Sequence, residues 1–222
     1  MKLLFIGNSY TYYNDMPKLF EALANENGKE VSVDSVTKGG RWLHENLSPE
    51  DENHKIICEL NKNRDYDVLF LQEQSCGPIR DMPAFMRGAE KLSELVGAAR
   101  TILYATWGRK SGSPTLLELS MTSDEMTDAL YEGYMAAKKS LGAEISPVGL
   151  CFKEISKENE ALELYNRDLS HPSPLGSCVA AVCHYTTVFY ELPKEYSSLN
   201  ISDEEMHIIL DAIKSIKTDL EP

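Results

Sequence analysis

The chain has 222 residues, of which 42% are hydrophobic and 26% are charged, a composition that is typical of a globular protein and excludes a disordered or fibrous chain. Its 35 acidic and 22 basic residues give a formal net charge of −13. Such a surface repels nucleic acid and anionic membranes, so neither is expected as a partner.

The sequence predicts neither a membrane anchor nor a metal site. No segment approaches the ~20 apolar residues that span a bilayer, and the N-terminal apolar run is too short for a signal peptide. The five cysteines include no C-x-x-C pair, which argues against a disulfide framework or a zinc site and for reduced thiols. We therefore expect a cytoplasmic protein with no metal and no cofactor.

Short apolar runs alternate with amphipathic segments along the chain. The runs predict five strands: Lys2–Ile6, Val31–Val36, Asp67–Leu71, Thr101–Ala105 and Glu144–Val148. Helical spacing of apolar residues predicts the helices: Met16–Asn27, Asp51–Asn63, Pro83–Val96, Ser120–Leu141, Cys151–Leu164, Pro172–Tyr190, and a last one from the capping box at Ser202 to Ile216. This alternation predicts an α/β fold: one domain over residues 1–222, with a five-stranded parallel sheet and helices on both faces.

Ser9 follows the first strand in the triplet Gly7-Asn8-Ser9, whose residue types favour turns. The exits of parallel strands lie along one edge of the sheet, where open α/β sheets collect ligands and catalytic groups. A serine needs a base to take its proton before it can attack a substrate. A turn residue or a helix N-cap is the alternative role for Ser9.

Asp168 and His171, three residues apart near the other end of the chain, could supply that base. A carboxylate on the imidazole Nδ1 fixes the tautomer and leaves Nε2 free to accept a serine proton. With Gly7-Asn8-Ser9 and the following Tyr10-Thr11, the block Asp168-x-x-His171-Pro172 resembles the first and last blocks of the SGNH (GDSL-like) hydrolases. The chain is most similar to a bacterial branch with Gly-Asn-Ser in place of Gly-Asp-Ser.

The resemblance implies a flavodoxin-like SGNH hydrolase fold and a catalytic set of Ser9, Asp168 and His171. It also implies an oxyanion hole of three donors: the Ser9 N–H, a glycine N–H of the second block and a side-chain amide of the third. Gly40, at the exit of the second strand, matches the glycine. The superfamily has Gly-x-Asn-Asp in the third block, whereas this chain has Gln72-Glu73-Gln74-Ser75, which aligns Gln74 with the asparagine.

Several side chains are candidates for the substrate groove: Gln72, Trp107, Tyr12, Tyr13 and Arg109, each with packing or solvent exposure as its alternative role. The least regular stretch, Trp107 to Ser120, is predicted to form a flap over the site. Together with the resemblance, these features predict a serine esterase that acts on small-molecule carboxylic esters. The resemblance to the SGNH hydrolases implies acylated carbohydrate as the leading substrate. A non-catalytic binding module and an acyltransferase are the rival functions, and the oligomeric state stays open.

Overall fold

A five-stranded parallel sheet forms the centre of the protein in the computed structural model, which describes residues 1–63, 65–159 and 161–216. The strands are β1 (Lys2–Gly7), β2 (Ser32–Thr37), β3 (Val68–Leu71), β4 (Arg100–Tyr104) and β5 (Glu144–Ser146). Their order in the sheet is β2-β1-β3-β4-β5, and every neighbouring pair is parallel. The sequence predicts this five-stranded parallel sheet, and the strand order is that of the flavodoxin-like fold that the resemblance implies.

The helices of the described part lie between these strands in the chain and after β5. They are α1 (Ser9–Tyr12), α2 (Met16–Glu26), α3 (Glu52–Asn63), α4 (Gly77–Arg80), α5 (Met82–Val96), α6 (Pro114–Leu119), α7 (Ser123–Leu141), α8 (Val148–Glu158), α9 (Pro174–Phe189) and α10 (Asp203–Ser215), with short 3-10 helices at Tyr13–Asp15, Leu43–Leu47 and Ser197–Leu199. Within the described ranges, none of the helices is both long and apolar enough to cross a bilayer.

The helices differ from the sequence prediction mainly at their ends. The predicted helix from Ser120 to Leu141 begins at Ser123, because Ser120 has a φ of 56° and ends the separate helix α6 instead. The predicted helix from Cys151 to Leu164 ends at Glu158, and residue 160 lies outside the described residues.

Helices cover both faces of the sheet because successive side chains of a strand point to opposite sides. In β1, Leu3 and Phe5 belong to the core under α2, α8, α9 and α10. Leu4 and Ile6 belong to the core under α3, α5 and α7. All four residues of β3 are buried, which explains why its sequence is a continuous apolar run rather than an alternating one.

The chain changes direction across the sheet between β1 and β3. It passes from β1 to β2 on one side and then returns to add β3 on the other side of β1. The loops that leave β1 and β3 therefore diverge at the carboxyl edge and open a crevice, which is where ligands bind in sheets of this kind. Ser9 follows β1 directly and lies beside this crevice.

His184 of α9 lies in the core and takes no part in that crevice. Its ring packs against Phe70 and Tyr104, with ring centroids 4.7 and 4.3 Å away, and its Nδ1 lies 2.7 Å from Ser146 Oγ. Burial lowers the pKa of His184 to about 3, so the ring is neutral at physiological pH. We assign this histidine a packing role.

Candidate active site

Ser9 is the first residue of α1, where its backbone N–H has no partner within the helix. Asn8 is the N-cap: its Oδ1 accepts a hydrogen bond from the Tyr10 N–H at 3.1 Å. The Asn8 side chain also donates from Nδ2 to the Arg41 carbonyl at 2.9 Å, which ties the exit of β1 to the loop after β2. The sequence predicts a turn for Ser9, and the structure places it instead at the start of a one-turn helix.

Ser9, His171 and Asp168 form a continuous chain of hydrogen bonds. His171 Nε2 lies 2.9 Å from Ser9 Oγ, and His171 Nδ1 lies 2.6 Å from Asp168 Oδ2. A carboxylate only accepts hydrogen bonds, so Nδ1 carries the proton and Nε2 accepts from the serine hydroxyl. The residues that the sequence predicts as catalytic are therefore in direct contact in the structure.

The Asp168 carboxylate has a second oxygen that orients it. Oδ1 accepts the backbone N–H groups of Ser170 at 3.0 Å and His171 at 2.9 Å. Partial burial raises the pKa of Asp168, but the hydrogen bonds from the His171 side chain and from these two N–H groups outweigh it and lower the pKa overall. The carboxylate is thus held ionised with Oδ2 facing the imidazole.

The loop that carries Asp168 and His171 closes on itself. The Asn166 N–H donates to the His171 carbonyl at 2.8 Å, and the Leu169 N–H donates to the Asn166 carbonyl at 3.0 Å. Leu169 has a φ of 61°, which turns the chain sharply between the two functional residues. Tyr165 and Pro172 form an antiparallel bridge at its base. The loop is therefore a defined hydrogen-bonded unit.

Two tyrosines of the first block fix the plane of the imidazole. The Tyr13 ring stacks on His171 with centroids 4.2 Å apart and an interplanar angle of 9°. Tyr10 meets the imidazole edge-on at 5.5 Å, and its hydroxyl lies 3.0 Å from Ser170 Oγ. These contacts restrict rotation of His171 about its side-chain bonds and keep Nε2 directed at Ser9.

Gly40 occupies a turn that only a glycine adopts without strain. The Arg41 N–H donates to the Lys38 carbonyl at 3.1 Å, and Gly40, the third residue of this turn, has a φ of 69°. Both Gly39 and Gly40 line the same pocket as Ser9. Neither donates its N–H to another described residue, so these backbone donors are available to a ligand.

Gln74 also lines this pocket and has a free amide group. Its Oε1 accepts the Cys76 N–H at 2.7 Å, which fixes the side chain. Its Nε2 has no hydrogen-bond partner among the described residues. The structure therefore brings the three predicted oxyanion donors, Ser9, Gly40 and Gln74, to one pocket.

Gln72 does not line the pocket, and this prediction is wrong. The side chain is 1% exposed because it points behind the strand exit. Its Oε1 accepts the Asn8 N–H and the Thr11 hydroxyl, each at 2.9 Å, and its Nε2 donates to the Glu73 carbonyl. Gly7 leaves room for this amide, since a Cβ there would lie 2.8 Å from Gln72 Oε1. Gln72 thus positions the loop that carries Ser9.

Trp107 does not line the pocket either, which corrects a second prediction. Its indole is fully buried between the Tyr10 ring, at 4.7 Å and 6°, and the Phe152 ring, at 4.1 Å and 2°. Its Nε1 donates to the Ser170 carbonyl at 3.1 Å. Trp107 therefore supports the loop of His171 from below and has no surface left for a substrate.

The pocket in front of Ser9 has a volume of about 320 Å³, at the small end of the range for small-molecule sites. Tyr12 lines it, as predicted, and is 42% exposed at its rim. The full lining is Asn8, Ser9, Tyr10, Tyr12, Tyr13, Gly39, Gly40, Gln74, Ser75, Arg109, Ser170 and His171. No group of three or more His, Cys, Asp and Glu side chains in the described ranges is arranged to hold a metal ion.

Glu73 is a buried carboxyl group that sequence reasoning assigned no role. It is 0% exposed, and its side chain accepts the backbone N–H groups of Leu43 at 3.1 Å and Gln74 at 2.5 Å. Burial raises the pKa of Glu73 to about 7, although these two N–H groups lower it. Glu73 thereby joins the segment after the Gly40 turn to the loop of Gln74. No spacing in the sequence marks it, because a charged residue at a strand exit is ordinarily solvent-exposed.

Comparison with known proteins gives the family. No family model matches the sequence, and no curated protein matches it. Among solved structures, a presumed SGNH hydrolase from Slackia heliotrinireducens is 32% identical over 85% of this chain and 98% of that chain, with a TM-score of 0.74. The chain belongs to the SGNH hydrolase superfamily.

Other solved structures share the fold at lower identity. A DUF4886 family protein from Bacteroides uniformis is 16% identical over 98% of this chain and 95% of that chain, with a TM-score of 0.80. An acetyl xylan esterase is 14% identical over 85% of this chain and 100% of that chain, with a TM-score of 0.60.

The buried carboxyl of Glu73 predicts a pH-dependent contribution to stability. Its pKa is higher in the folded chain than in the unfolded one, so folding is favoured most below about pH 4.5, where the group is protonated in both states. This contribution is lost as pH rises to about 7. The glutamine side chain of the Glu73→Gln variant carries no charge at any pH. The free energy of unfolding of the wild type, taken relative to that of Glu73→Gln, should therefore fall by up to about 3 kcal/mol between pH 5 and 8.

Urea denaturation at several pH values measures this difference. Glu90→Gln, at an exposed position of α5, is the matched control and should show no such pH trend. A difference for Glu73→Gln that stays constant from pH 5 to 8 would contradict a buried, titrating carboxyl.

Proposed function

We propose that this SGNH hydrolase is a serine esterase that cleaves small carboxylic esters through an acyl-enzyme intermediate. The observation that carries the proposal is the chain of hydrogen bonds from Ser9 Oγ through His171 to Asp168, at 2.9 and 2.6 Å. It supplies a nucleophile, a base in the correct tautomer and a group that orients the base. The pocket on which this serine opens supplies free N–H donors.

In the first half-reaction, Ser9 Oγ attacks the ester carbonyl carbon while His171 Nε2 takes the hydroxyl proton. The carbonyl oxygen becomes negative and accepts hydrogen bonds from the N–H groups of Ser9 and Gly40 and from the amide of Gln74, three residues that line the same pocket. The intermediate collapses, the C–O bond to the alcohol breaks, and Nε2 gives the proton to the leaving oxygen. Water then repeats the same steps on the acyl-enzyme and releases the acid and free Ser9.

The size of the pocket and one structural neighbour guide the choice of substrate. A volume of about 320 Å³ suits a short acyl group rather than a long chain. A solved structure with the same fold is an acetyl xylan esterase. Acetyl esters of carbohydrates are therefore the first substrates to test.

The free amide of Gln74 also favours a catalytic role over a binding module that has lost its oxyanion donors.

The first test concerns the nucleophile. A series of 4-nitrophenyl esters of increasing acyl length should be cleaved by the wild type, fastest for acetate and propionate. Ser9→Ala should reduce turnover to the uncatalysed background, because no other hydroxyl in the pocket contacts His171 Nε2 in the described residues. An organophosphonate should add one covalent group to the wild type and none to Ser9→Ala, as mass spectrometry would show.

The exposed Ser111 provides the matched control, since Ser111→Ala removes a hydroxyl outside the pocket and should keep full activity. Turnover by a folded Ser9→Ala near the wild-type rate would rule out Ser9 as the nucleophile.

The second test concerns the carboxylate that orients the base. In Asp168→Asn, the amide oxygen should replace Oδ1 as acceptor for the N–H groups of Ser170 and His171. The amide NH₂ then faces His171 Nδ1 and selects the tautomer that carries its proton on Nε2, which cannot accept from Ser9. We expect kcat to fall by on the order of 10³–10⁴ with little change in KM. A loss of less than tenfold would show that Asp168 does not set the tautomer.

The third test separates the two glutamines. Gln74→Ala removes a donor that contacts only the developing oxyanion, so kcat should fall by ~10²–10³ with a smaller effect on KM. Gln72→Ala leaves the buried Asn8 N–H and Thr11 hydroxyl unpaired, so the free energy of unfolding should fall by about 2–4 kcal/mol. Steady-state kinetics and urea denaturation of both variants give the comparison. A stable Gln72→Ala with the larger loss of kcat would reverse these assignments.

A further inference from the structure

Arg109 is a cationic side chain inside the pocket of Ser9. It follows β4 and lines the same cavity as Ser9, Gly40 and His171. Its Nη2 donates to Ser75 Oγ at 2.7 Å, and its guanidinium lies over the Tyr10 ring, with Cζ 5.4 Å from the ring centroid. The mechanism proposed above makes no use of this charge.

No carboxylate within the described ranges lies at ion-pair distance from Arg109. Arg100, which is also half-buried, forms an ion pair with Glu144 at 2.7 Å, and Arg41 pairs with Asp51. The Nε of Arg109 is buried and has no hydrogen-bond acceptor among the described residues. Burying a cation without a partner anion opposes folding. The unpaired guanidinium of Arg109 therefore indicates that this side chain binds a ligand.

The carboxylate of the site is not available to Arg109. Asp168 directs one oxygen to His171 and the other to two backbone N–H groups. Burial lowers the pKa of Arg109, but the nearby Tyr10 hydroxyl and Cys76 thiol raise it, so the guanidinium stays charged. Arg109 is therefore the permanent positive charge among the described residues that line the pocket.

Contacts of both the backbone and the side chain of Arg109 restrict its position before any ligand binds: hydrogen bonds fix the main chain, and Ser75 and the Tyr10 ring contact the guanidinium. The Gly108 N–H donates to Thr127 Oγ1 at 2.9 Å, and the Arg109 N–H contacts Met126 Sδ at 3.4 Å. On the other side, the Lys110 N–H donates to the Leu169 carbonyl at 2.9 Å. Such preorganisation is what a binding residue requires, because little conformational entropy is lost when the ligand arrives.

We propose that Arg109 binds a carboxylate carried by the ester substrate, so that the natural substrates are small anionic esters. This inference rests on the proposed esterase function and narrows its substrate class. A guanidinium donates two parallel hydrogen bonds to a carboxylate, a geometry that neutral acyl groups cannot use. The net charge of −13 repels anions from most of the protein surface. The unpaired cation in the pocket attracts an anionic group locally, next to Ser9.

Charge and size favour a carboxylate over a phosphate as this anionic group. A phosphate monoester carries about −1.5 to −2 at neutral pH, whereas the pocket offers one unpaired cation and a volume of about 320 Å³. A carboxylate carries one charge and is planar, as the guanidinium is. One carboxylate therefore neutralises Arg109 without leaving excess negative charge in a confined site.

Two matched pairs of esters test the proposal. The first pair is 4-nitrophenyl hemisuccinate and its methyl ester, which differ in a carboxylate on the acyl side. The second is 3-carboxy-4-nitrophenyl acetate and 4-nitrophenyl acetate, which differ on the alcohol side. The wild type should prefer the carboxylate in at least one pair by ~10- to 100-fold in kcat/KM. Arg109→Gln should lower that ratio at least tenfold.

Lys110 provides the control, because its side chain pairs with Glu163 at 2.7 Å and lies outside the pocket. Lys110→Gln removes one positive charge next to Arg109 and should leave the ratio unchanged. Arg109→Lys keeps the positive charge but loses the planar guanidinium, so it should retain part of the preference for the ester that carries a carboxylate. It replaces Arg109→Gln as the test variant if the latter does not fold. A wild type that prefers the neutral ester in both pairs, or a ratio unchanged in the folded Arg109 variants, would overturn the proposal.

A binding measurement separates this proposal from the esterase function. Calorimetry with Ser9→Ala and intact 4-nitrophenyl hemisuccinate should show at least tenfold tighter binding than with its methyl ester, and Arg109→Gln added to Ser9→Ala should abolish the difference. If this binding is found but the wild type cleaves neither ester pair, the carboxylate site stands and the esterase function fails. If the wild type cleaves esters but neither binding nor kinetics favours the carboxylate, the function stands and the role of Arg109 is wrong.

Discussion

All five strands run parallel, and this constraint determines where every functional side chain lies. The carboxyl ends of the strands share one edge, so the segments after β1, β2, β3 and β4 bring Ser9, Gly40, Gln74 and Arg109 to the same pocket. The order β2-β1-β3 opens the crevice at β1, and the loop of His171 returns to this edge from beyond β5. No single element contains the site.

Buried polar groups hold these segments together and leave other donors free. Gln72 binds the Asn8 N–H after β1, Glu73 binds the N–H groups of Leu43 and Gln74, and Trp107 binds the loop of His171. Each of these contacts satisfies a buried donor or acceptor, as stability requires. The N–H groups of Ser9, Gly39 and Gly40 and the amide of Gln74 have no such partner among the described residues. The oxyanion hole proposed above requires free donors of this kind.

The fold could be predicted from local signals, because apolar runs of strand length define the sheet. The contact of Ser9 with His171 joins distant segments and could be predicted only because the motifs at the two ends of the chain resemble those of the SGNH hydrolases. The errors at Gln72 and Trp107 have a different origin. Past the end of a strand the two-residue alternation no longer holds, so the sequence does not say whether Gln72 or Gln74 faces the crevice. Trp107 is enclosed by Phe152 of α8 and Tyr10 of α1, which are far from it in sequence. Glu73 is buried by similarly distant contacts.

The hydrogen bond between Ser9 and His171 joins residues 162 positions apart in the chain. Forming it requires closure of nearly the whole polypeptide, and contacts of such long range are among the slowest to form. A chain that has assembled only one half of the sheet cannot contain this contact. In the mechanism proposed above, Ser9 gains its base only when the contact forms, so this topology delays the appearance of a nucleophile until the surrounding pocket exists.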